Sequence, residues 1–421
     1  WHVPHFEKML YDNAQLVSLY ALAYTKTKNP LYKQTVYQTL AFIAREMTTH
    51  DGAFYSAIDA DSLTADGILE EGAYYVWTKN ELQTLIGDDF DLFKEYYNIN
   101  SYGKWEKDNY VLIRQDTDQD FSREFGISVQ EIISKKTKWH EDLLRFRESN
   151  KEKPRLDDKI LTSWNGLMIK GYVDAYRAFK DEVFLTAALK NANFIHTNLM
   201  RTDGGLNRTF KNGKSTINGY LEDYAAIVDA FIALYEVTAD SKWLHKAKQL
   251  TDYTFEHFQN PVNDLFFYTS NQDPSLASRN TEFYDNVIPS SNSIMAKNIF
   301  MLSHYYSDNT YGDTAKAMLH NIQPSIDQSP TSFSNWMDGM LNYTMPFYEL
   351  VIVGKDAEVL REEFDSYYIP NKLIATSTSD SDQDIFKGRY HDDKTFIYVC
   401  VNNTCQLPVE TVKAALKLME V

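Results

Sequence analysis

The sequence predicts a mainly α protein, an (α/α) solenoid or closed toroid of helical hairpins followed by a small C-terminal α/β region. Three observations carry that expectation. Apolar residues recur at three- and four-residue spacing in paired segments joined by very short turns such as Lys180-Asp181 and Ala239-Asp240. One helix of each pair opens on an Asn or Asp beside small or aromatic residues: Asp12-Asn13-Ala14, Trp164-Asn165-Gly166, Glu222-Asp223-Tyr224 and Ser291-Asn292-Ser293. A recurrence about every 60 to 70 residues is the length of a helical hairpin with one long loop, the mark of a repeat architecture.

Taken in order, the first helix spans about 6–26, with Leu10, Ala14, Val17, Ala21 and Tyr24 on one face. Asn29-Pro30 stops it and starts a second over 31–47. Residues 51–158 interrupt the repeat as an insertion, with strands at 52–56 and 72–78 and a charged helix near 129–149. Helices follow near 161–180, 182–200, 221–238, 241–258, 291–306, 311–322 and 331–342, and the polar stretch 201–214 reads as a loop. Beyond about residue 345 the pattern becomes strand 348–353, helix 356–366, strands 372–376 and 395–401, and a closing helix 408–419. The domain expectation is therefore a toroid over 1–345 with its insertion, and an α/β region over 346–421.

The formal charge of −17 makes phosphate backbones and anionic lipid poor partners. No apolar run reaches membrane-spanning length. Nucleic acid and membrane are therefore not expected partners. The absence of a signal-like opening and the use of only two cysteines suit a cytoplasmic, reducing setting. The chain opens on Trp1 and reads as a piece of a longer protein. Aromatic residues make up 14% of it, a surplus that favours an aromatic-lined cleft. Neither a P-loop, a strand-borne G-x-G-x-x-G, a G-x-S-x-G nor an H-E-x-x-H occurs, so nucleotide, serine-hydrolase and zincin chemistry are not expected, and no metal or cofactor is.

Five clusters carry candidate chemistry. Trp1-His2-Val3-Pro4-His5-Phe6-Glu7-Lys8 runs into Tyr11-Asp12-Asn13, placing imidazoles beside carboxylates, the pairing that tunes an acid/base histidine. Asp59 and Asp61 share one face of an extended backbone, and Glu70-Glu71 follow. Paired carboxyls are the machinery of sugar chemistry. Asp158 precedes Thr162-Ser163-Trp164-Asn165, where Thr162 or Ser163 can cap a helix. Trp164 offers a flat apolar plate and Asn165 a donor and acceptor, matching a sugar's apolar face and hydroxyl rim. Glu222-Asp223-Tyr224 and Ser291-Asn292 occupy the same position in later hairpins. Each cluster also has a bland reading as helix caps and core anchors.

The opening motif, with Gly52 to Ser62, Glu70 to Thr78, Asp157 to Gly166, Gly219 to Tyr224, Val287 to Ser293 and the spaced pair Cys400 and Cys405, resembles the thioredoxin-domain-containing proteins similar to spermatogenesis-associated protein 20. The resemblance implies an (α/α)6 toroid of the six-hairpin glycosidase type, the class that also holds N-acylglucosamine 2-epimerases. It further implies that this chain is a toroid incomplete at its N-terminal end, with the family's thioredoxin-like domain absent from it and a possible partner.

The resulting expectation is a carbohydrate-binding or carbohydrate-processing toroid, with a sugar-like small molecule as ligand and epimerase-, isomerase- or glycosidase-like acid/base chemistry. His2, His5, Glu7, Asp59, Asp61, Glu222 and Asp223 would be catalytic. Tyr11, Asp12, Asn13, Glu71, Asp158, Trp164, Asn165, Tyr224, Ser291 and Asn292 would bind substrate. The alternative is a non-catalytic scaffold serving a thioredoxin-like domain or protein partner. Cys400 and Cys405 read as reduced, weakly reactive thiols, because the nearest cations in sequence, His391 and Lys394, lie at or before the start of their strand. A disulfide requires their Cα atoms within about 7 Å.

Overall fold

A computed structural model describes residues 4–274, 278–402 and 404–419. The first strand, β1 (Lys8–Met9), leads into α1 (Leu10–Thr27) and α2 (Pro30–Glu46). Short strands β2 (Ala57–Ile58), β3 (Asp61–Leu63), β4 (Leu69–Glu71) and β5 (Trp77–Thr78) follow, then α3 (Lys79–Ile86) and α4 (Phe90–Tyr96). Strand β6 (Asn109–Tyr110), helices α5 (Asp118–Phe125) and α6 (Val129–Asn150), and strands β7 (Leu156–Asp157) and β8 (Ile160–Leu161) complete this stretch. Paired helices then return as α7 (Thr162–Phe179) and α8 (Glu182–Asn198), followed by strands β9 (Asn207–Lys211) and β10 (Lys214–Asn218). Next come α9 (Leu221–Thr238), α10 (Ser241–Phe258), α11 (Ser291–Tyr306), α12 (Asn309–Ile326) and α13 (Ser334–Thr344). The C-terminal part is β11 (Tyr348–Val353), α14 (Ala357–Phe364), β12 (Lys372–Ser377), β13 (Phe396–Val401), β14 (Thr404–Cys405) and α15 (Val412–Leu418).

Two compact units emerge, one of residues 1–9 and 57–157, the other of 10–56 and 158–421. In the larger unit the repeat is a two-layered (α/α) array. Helices α1, α7, α9 and α11 pack side by side as an inner layer, and α2, α8, α10 and α12 each back the inner helix that precedes them. The inner helices are apolar on most faces: α9 buries 14 residues and α7 buries 12, as expected for helices covered on several sides. Close packing in this layer depends on two glycines of α7. A Cβ at Gly166 would lie 2.8 Å from the Ala226 carbonyl carbon, and one at Gly171 would lie 2.9 Å from the Ala14 carbonyl oxygen.

The C-terminal sheet has the order β12-β11-β13-β14, with β11 parallel to β12 and antiparallel to β13. Helices α14 and α15 cover one face through a core of Leu350, Ile352, Ile374, Ile397, Val399 and Leu416. Cys400 and Cys405 face each other across β13 and β14, Cα atoms 3.9 Å apart, and are joined by a disulfide. This corrects the expectation of two reduced thiols: the turn at Asn402 folds β14 directly back onto β13.

Other local expectations change for identifiable reasons. The first helix begins at Leu10 rather than near residue 6, because Lys8 and Met9 pair with Ile58 and Ala57. Residues 52–56 form only an isolated bridge, Phe54 to Thr48. In 72–78 a turn at Gly72 (φ 76°) leaves only Trp77–Thr78 as strand, and a Cβ at Gly72 would lie 2.5 Å from the Phe6 ring. The 201–214 stretch is no simple loop, since β9 and β10 form a hairpin through Asn212-Gly213, both at positive φ. In the smaller unit an aromatic core gathers Trp77, Phe93, Tyr96, Tyr97, Phe121 and Trp139. Among the described residues no helix is long and apolar enough to cross a membrane.

Replacing Gly166 or Gly171 by Ala tests the inner-layer packing. Helix propensity alone favours alanine by about 1 kcal/mol. The backbone contact reverses that sign, and each variant is expected to lose about 1–3 kcal/mol in denaturant melts.

Candidate functional site

Three inner helices, α7, α9 and α11, each hold a loop with a side chain near their start. Asn165, on the first turn of α7, accepts the Phe54 N–H (2.9 Å) and donates to the Phe54 carbonyl (3.0 Å). Asn292 on α11 makes the same two-way clamp on Phe266, at 2.8 and 2.9 Å. On α9 the Tyr224 hydroxyl accepts the Leu206 N–H at 2.8 Å. Phe54, Leu206 and Phe266 are the bridge residues of three equivalent loops, opposite Thr48, Met200 and Gln259. Asn165, Tyr224 and Asn292 are fully buried. They therefore frame the rim, with their polar groups turned to backbone.

Asp223 is also fully buried and caps two helices at once. Its Oδ1 accepts the Ser163 N–H of α7 and its Oδ2 the Tyr220 N–H of its own α9, each at 2.9 Å. The cap of α7 thus comes from the next hairpin, not from Thr162 or Ser163; Thr162 donates instead to the Asn207 carbonyl. Burial pushes the Asp223 carboxyl up to about 7, helped by the Glu222 charge and opposed by Arg208. Arg208 donates to Glu222 (2.5 Å) and Asp223 (3.2 Å) and lies over the Tyr220 ring, while the Tyr268 hydroxyl donates to Glu222 at 2.7 Å. Glu222 keeps a partly exposed side chain. Tyr11 and Trp164 meet edge to face, ring centroids 4.9 Å apart. Asp158 pairs with Lys211, which holds its carboxyl below the usual range. Asp12 is exposed and Asn13 half-buried near the start of α1. Ser291 is buried, its N–H given to Glu282.

About two turns further along the same helices lies a cavity of about 200 Å³, lined from α1 by Ser18, from α7 by Lys170, from α9 by Asp229 and from α11 by Lys297. Glu222 and Asp229 are seven residues apart, hence on one face of α9. Asp229 is the single carboxyl among the described lining residues. No described group hydrogen-bonds it or forms an ion pair with it; burial raises its pKa, against the opposing charges of Lys170 and Lys297. The two lysines have other partners. Lys170 donates to the buried Asp174 at 2.8 Å; Lys297 donates to Asp338 at 2.6 Å and to Asn335 at 3.1 Å. Burial opposes the Lys170 charge, but Asp174 and Asp229 outweigh it and raise its pKa. A poised, unpartnered carboxyl between two fixed cations in a small cavity is a group that can give or take a proton.

The remaining candidates lie in the smaller unit, apart from His2, which falls outside the described residues. His5 and Glu7 are exposed on either side of the buried Phe6, and Phe6 stacks on Tyr75. Arg155 donates to Asp59 at 2.7 Å, and this contact holds the Asp59 carboxyl below its ordinary value. Asp59 is therefore an ionised acceptor, not a proton donor near neutral pH. Asp61 donates its N–H to Asp59 and lies opposite Glu71, which is exposed. Lys8, half-buried over the Tyr75 ring, is lowered to about 8, first by burial and then by Arg147. Among the described residues no group of three or more His, Cys, Asp or Glu side chains is arranged to hold a metal ion.

Sequence reasoning missed Lys170, Asp229 and Lys297. A signal was present: Asp229 is the one charge in the run Ala225-Ala226-Ile227-Val228-Asp229-Ala230-Phe231-Ile232, and a lone charge on an apolar helix needs a reason.

The fold and site define a helical-hairpin protein with a charged cavity inside its inner layer. The chain is similar to spermatogenesis-associated protein 20. It is 28% identical to the human protein over 451 residues, covering 97% of this chain and 57% of the human one, so it spans little more than half of that relative. An uncharacterised Caenorhabditis elegans protein is 26% identical, covering 98% of this chain and 61% of its own length. No family model matches the chain. Among solved structures it is similar to cellobiose 2-epimerase from Bacillus thermoamylovorans (10% identity, 76% of this chain and 61% of the other, TM-score 0.45). It is also similar to a D-mannose isomerase (14% identity, 76% of each chain, TM-score 0.38).

Two predictions follow from this geometry. Asn165→Ala and Asn292→Ala each strand a buried backbone N–H and carbonyl, and each should cost about 2–4 kcal/mol in equilibrium unfolding. Asp229→Asn should behave in the opposite way. Because the folded pKa of Asp229 is raised, the native state binds more protons than the unfolded chain between the ordinary carboxylate range and the raised value. The wild type therefore loses this contribution as pH rises through that window. Melting curves at pH 5 and pH 8 should show Asp229→Asn at least as stable as wild type, with its advantage growing towards pH 8.

Proposed function

We propose that the inner-layer cavity binds a small polyhydroxylated, carbohydrate-like molecule and that Asp229 exchanges a proton with it. The observation that carries this reading is the Asp229 carboxyl itself, raised by burial, without a hydrogen-bond partner and facing a cavity with Lys170 and Lys297 on its walls. Neutral donors and acceptors complete the lining, with Gln15, Ser18, Asn298 and Asn335 suited to hydroxyl groups. Tyr11 and Trp164, one to two turns towards the rim, supply aromatic surface for a sugar face. Glu222, held by Arg208 and Tyr268, is the half-buried carboxylate of that rim, and Asp223 positions the cluster from behind.

The cavity is smaller than the range of about 300–1,000 Å³ that holds drug-sized ligands, which favours a single sugar ring over an oligosaccharide. Hydrolysis by two carboxyls would need a second acid across the cavity. The lone Asp229 instead supports isomerisation or epimerisation, in which one group removes a proton from carbon and a proton returns to the substrate. The scaffold reading has one observation in its favour: Asn165, Tyr224 and Asn292 are committed to backbone and leave no group for a ligand.

A panel of aldoses and ketoses tests the proposal by thermal shift and by chromatography of the products. Binding of a monosaccharide is expected, with its conversion lost by at least about 100-fold in Asp229→Asn while binding persists. No binding and no conversion across the panel would leave the scaffold reading standing.

A further inference from the structure

Arg389 touches the cysteine pair. Sixteen residues from Cys405 in sequence, it is brought onto the sulfur by the fold, its Nη2 donating to Cys405 Sγ at 3.3 Å. Its placement is built rather than incidental. The Tyr398 hydroxyl donates to the Arg389 carbonyl at 3.1 Å, and the same tyrosine's ring lies under the guanidinium at 5.3 Å. The other guanidinium nitrogen, Nη1, is buried with no partner among the described residues, so the cation is only partly compensated. The two sulfurs also differ. Cys400 is fully buried, whereas Cys405 is exposed. Directly opposite Cys400 on β11 stands Glu349, a buried carboxylate paired with His304 at 3.0 Å. The guanidinium at Cys405 favours a thiolate there, while the buried Cys400 lies across the sheet from Glu349, whose charge also acts on Arg389.

We propose that Cys400 and Cys405 form a redox-active dithiol–disulfide pair, with Cys405 as the reacting sulfur and Cys400 as the resolving one, exchanging with low-molecular-weight thiols and their disulfides. In the reduced pair the Cys405 thiolate, its proton released to water, attacks one sulfur of an incoming disulfide. That S–S bond breaks, one thiolate leaves, and a mixed disulfide forms on Cys405. Cys400 then gives up its proton to water and attacks Cys405 Sγ. The second thiolate leaves and the Cys400–Cys405 bond closes. Two electrons pass from the pair to the disulfide, and the two protons released match the two thiolates formed. The reverse sequence, with a small thiol attacking exposed Cys405, opens the bond.

A purely structural staple accounts less well for the same features. The stabilisation that a disulfide gives through the unfolded chain grows with the loop it closes, and this one joins residues only five apart. The turn is already held by the β13–β14 pairing of Val401 with Thr404 and by the Gln406 N–H donated to the Val399 carbonyl. Nor does stapling call for an arginine at the exposed sulfur.

The test uses the whole chain, reduced with a phosphine and then alkylated with iodoacetamide at pH 7, each cysteine followed by mass spectrometry. Cys405 is expected to react about tenfold faster than Cys400, the ratio that one pKa unit gives in thiolate fraction. Arg389→Gln should slow Cys405 about tenfold, and Arg389→Lys should restore most of the rate, which separates charge from folding. Cys400→Ser exposed to glutathione disulfide should accumulate a mixed disulfide at Cys405. A native bond that stays closed in millimolar reduced glutathione would overturn the proposal. So would equal rates at the two thiols, or a Cys405 rate unmoved by Arg389→Gln.

Discussion

A chain of paired charges governs how the inner layer and the C-terminal sheet fit together. Lys170, on the cavity wall, pairs with Asp174, and Asp174 with Arg177 at 3.6 Å. Arg177 reaches Glu236 of α9 at 2.5 Å. Glu236 then accepts the Tyr305 hydroxyl of α11 and the Ile374 N–H of β12, and the Tyr305 oxygen lies 3.0 Å from the Ile374 carbonyl. Each of these charges has a partner in the set, and removing one member of a buried pair costs about 3–5 kcal/mol. The sheet therefore sits where Glu236 can be satisfied. The same chain holds Lys170 in place beside Asp229, so the cavity's electrostatics and the docking of β12 are parts of one arrangement.

Much of this architecture was legible in the residues because hairpin helices announce themselves by spacing. The faces carrying Leu10, Ala14, Val17 and Ala21, or Trp243, Leu244, Ala247 and Leu250, are buried as their periodicity requires. The Asn and Asp that open the inner helices were also visible. Their orientation was not, because an asparagine at a helix start has the same letter whether it meets a ligand or clamps a loop 111 residues away. The β9–β10 hairpin carried its own Asn212-Gly213 signal in a stretch whose polarity read as loop.

At two positions the deciding contact comes from a residue distant in sequence. Asp223, a catalytic candidate from its sequence, has its carboxyl raised to about 7, and its oxygens cap α7 and α9. Cys405 looked inert because no cation lay close to it along the chain, while Arg389 arrives through the fold. In both, local sequence identified a group able to titrate or react, and only the packing of other elements decided what that group faces.

The rim clamps also have a consequence for how the chain assembles. Leu206 and Tyr224 are 18 residues apart, and Phe266 and Asn292 are 26 apart, so these two closures are nearly local. The equivalent closure of Phe54 on Asn165 must bridge 111 residues, with the smaller unit's residues 57–157 strung between its ends. For a flexible chain that difference is worth about 1.6 kcal/mol of closure entropy against the 18-residue case. Contacts between near neighbours form faster than distant ones. The order of events written into the clamps is then one of propagation: the hairpins around α9 and α11 lock first, and the α1–α2 hairpin is the last to join the layer.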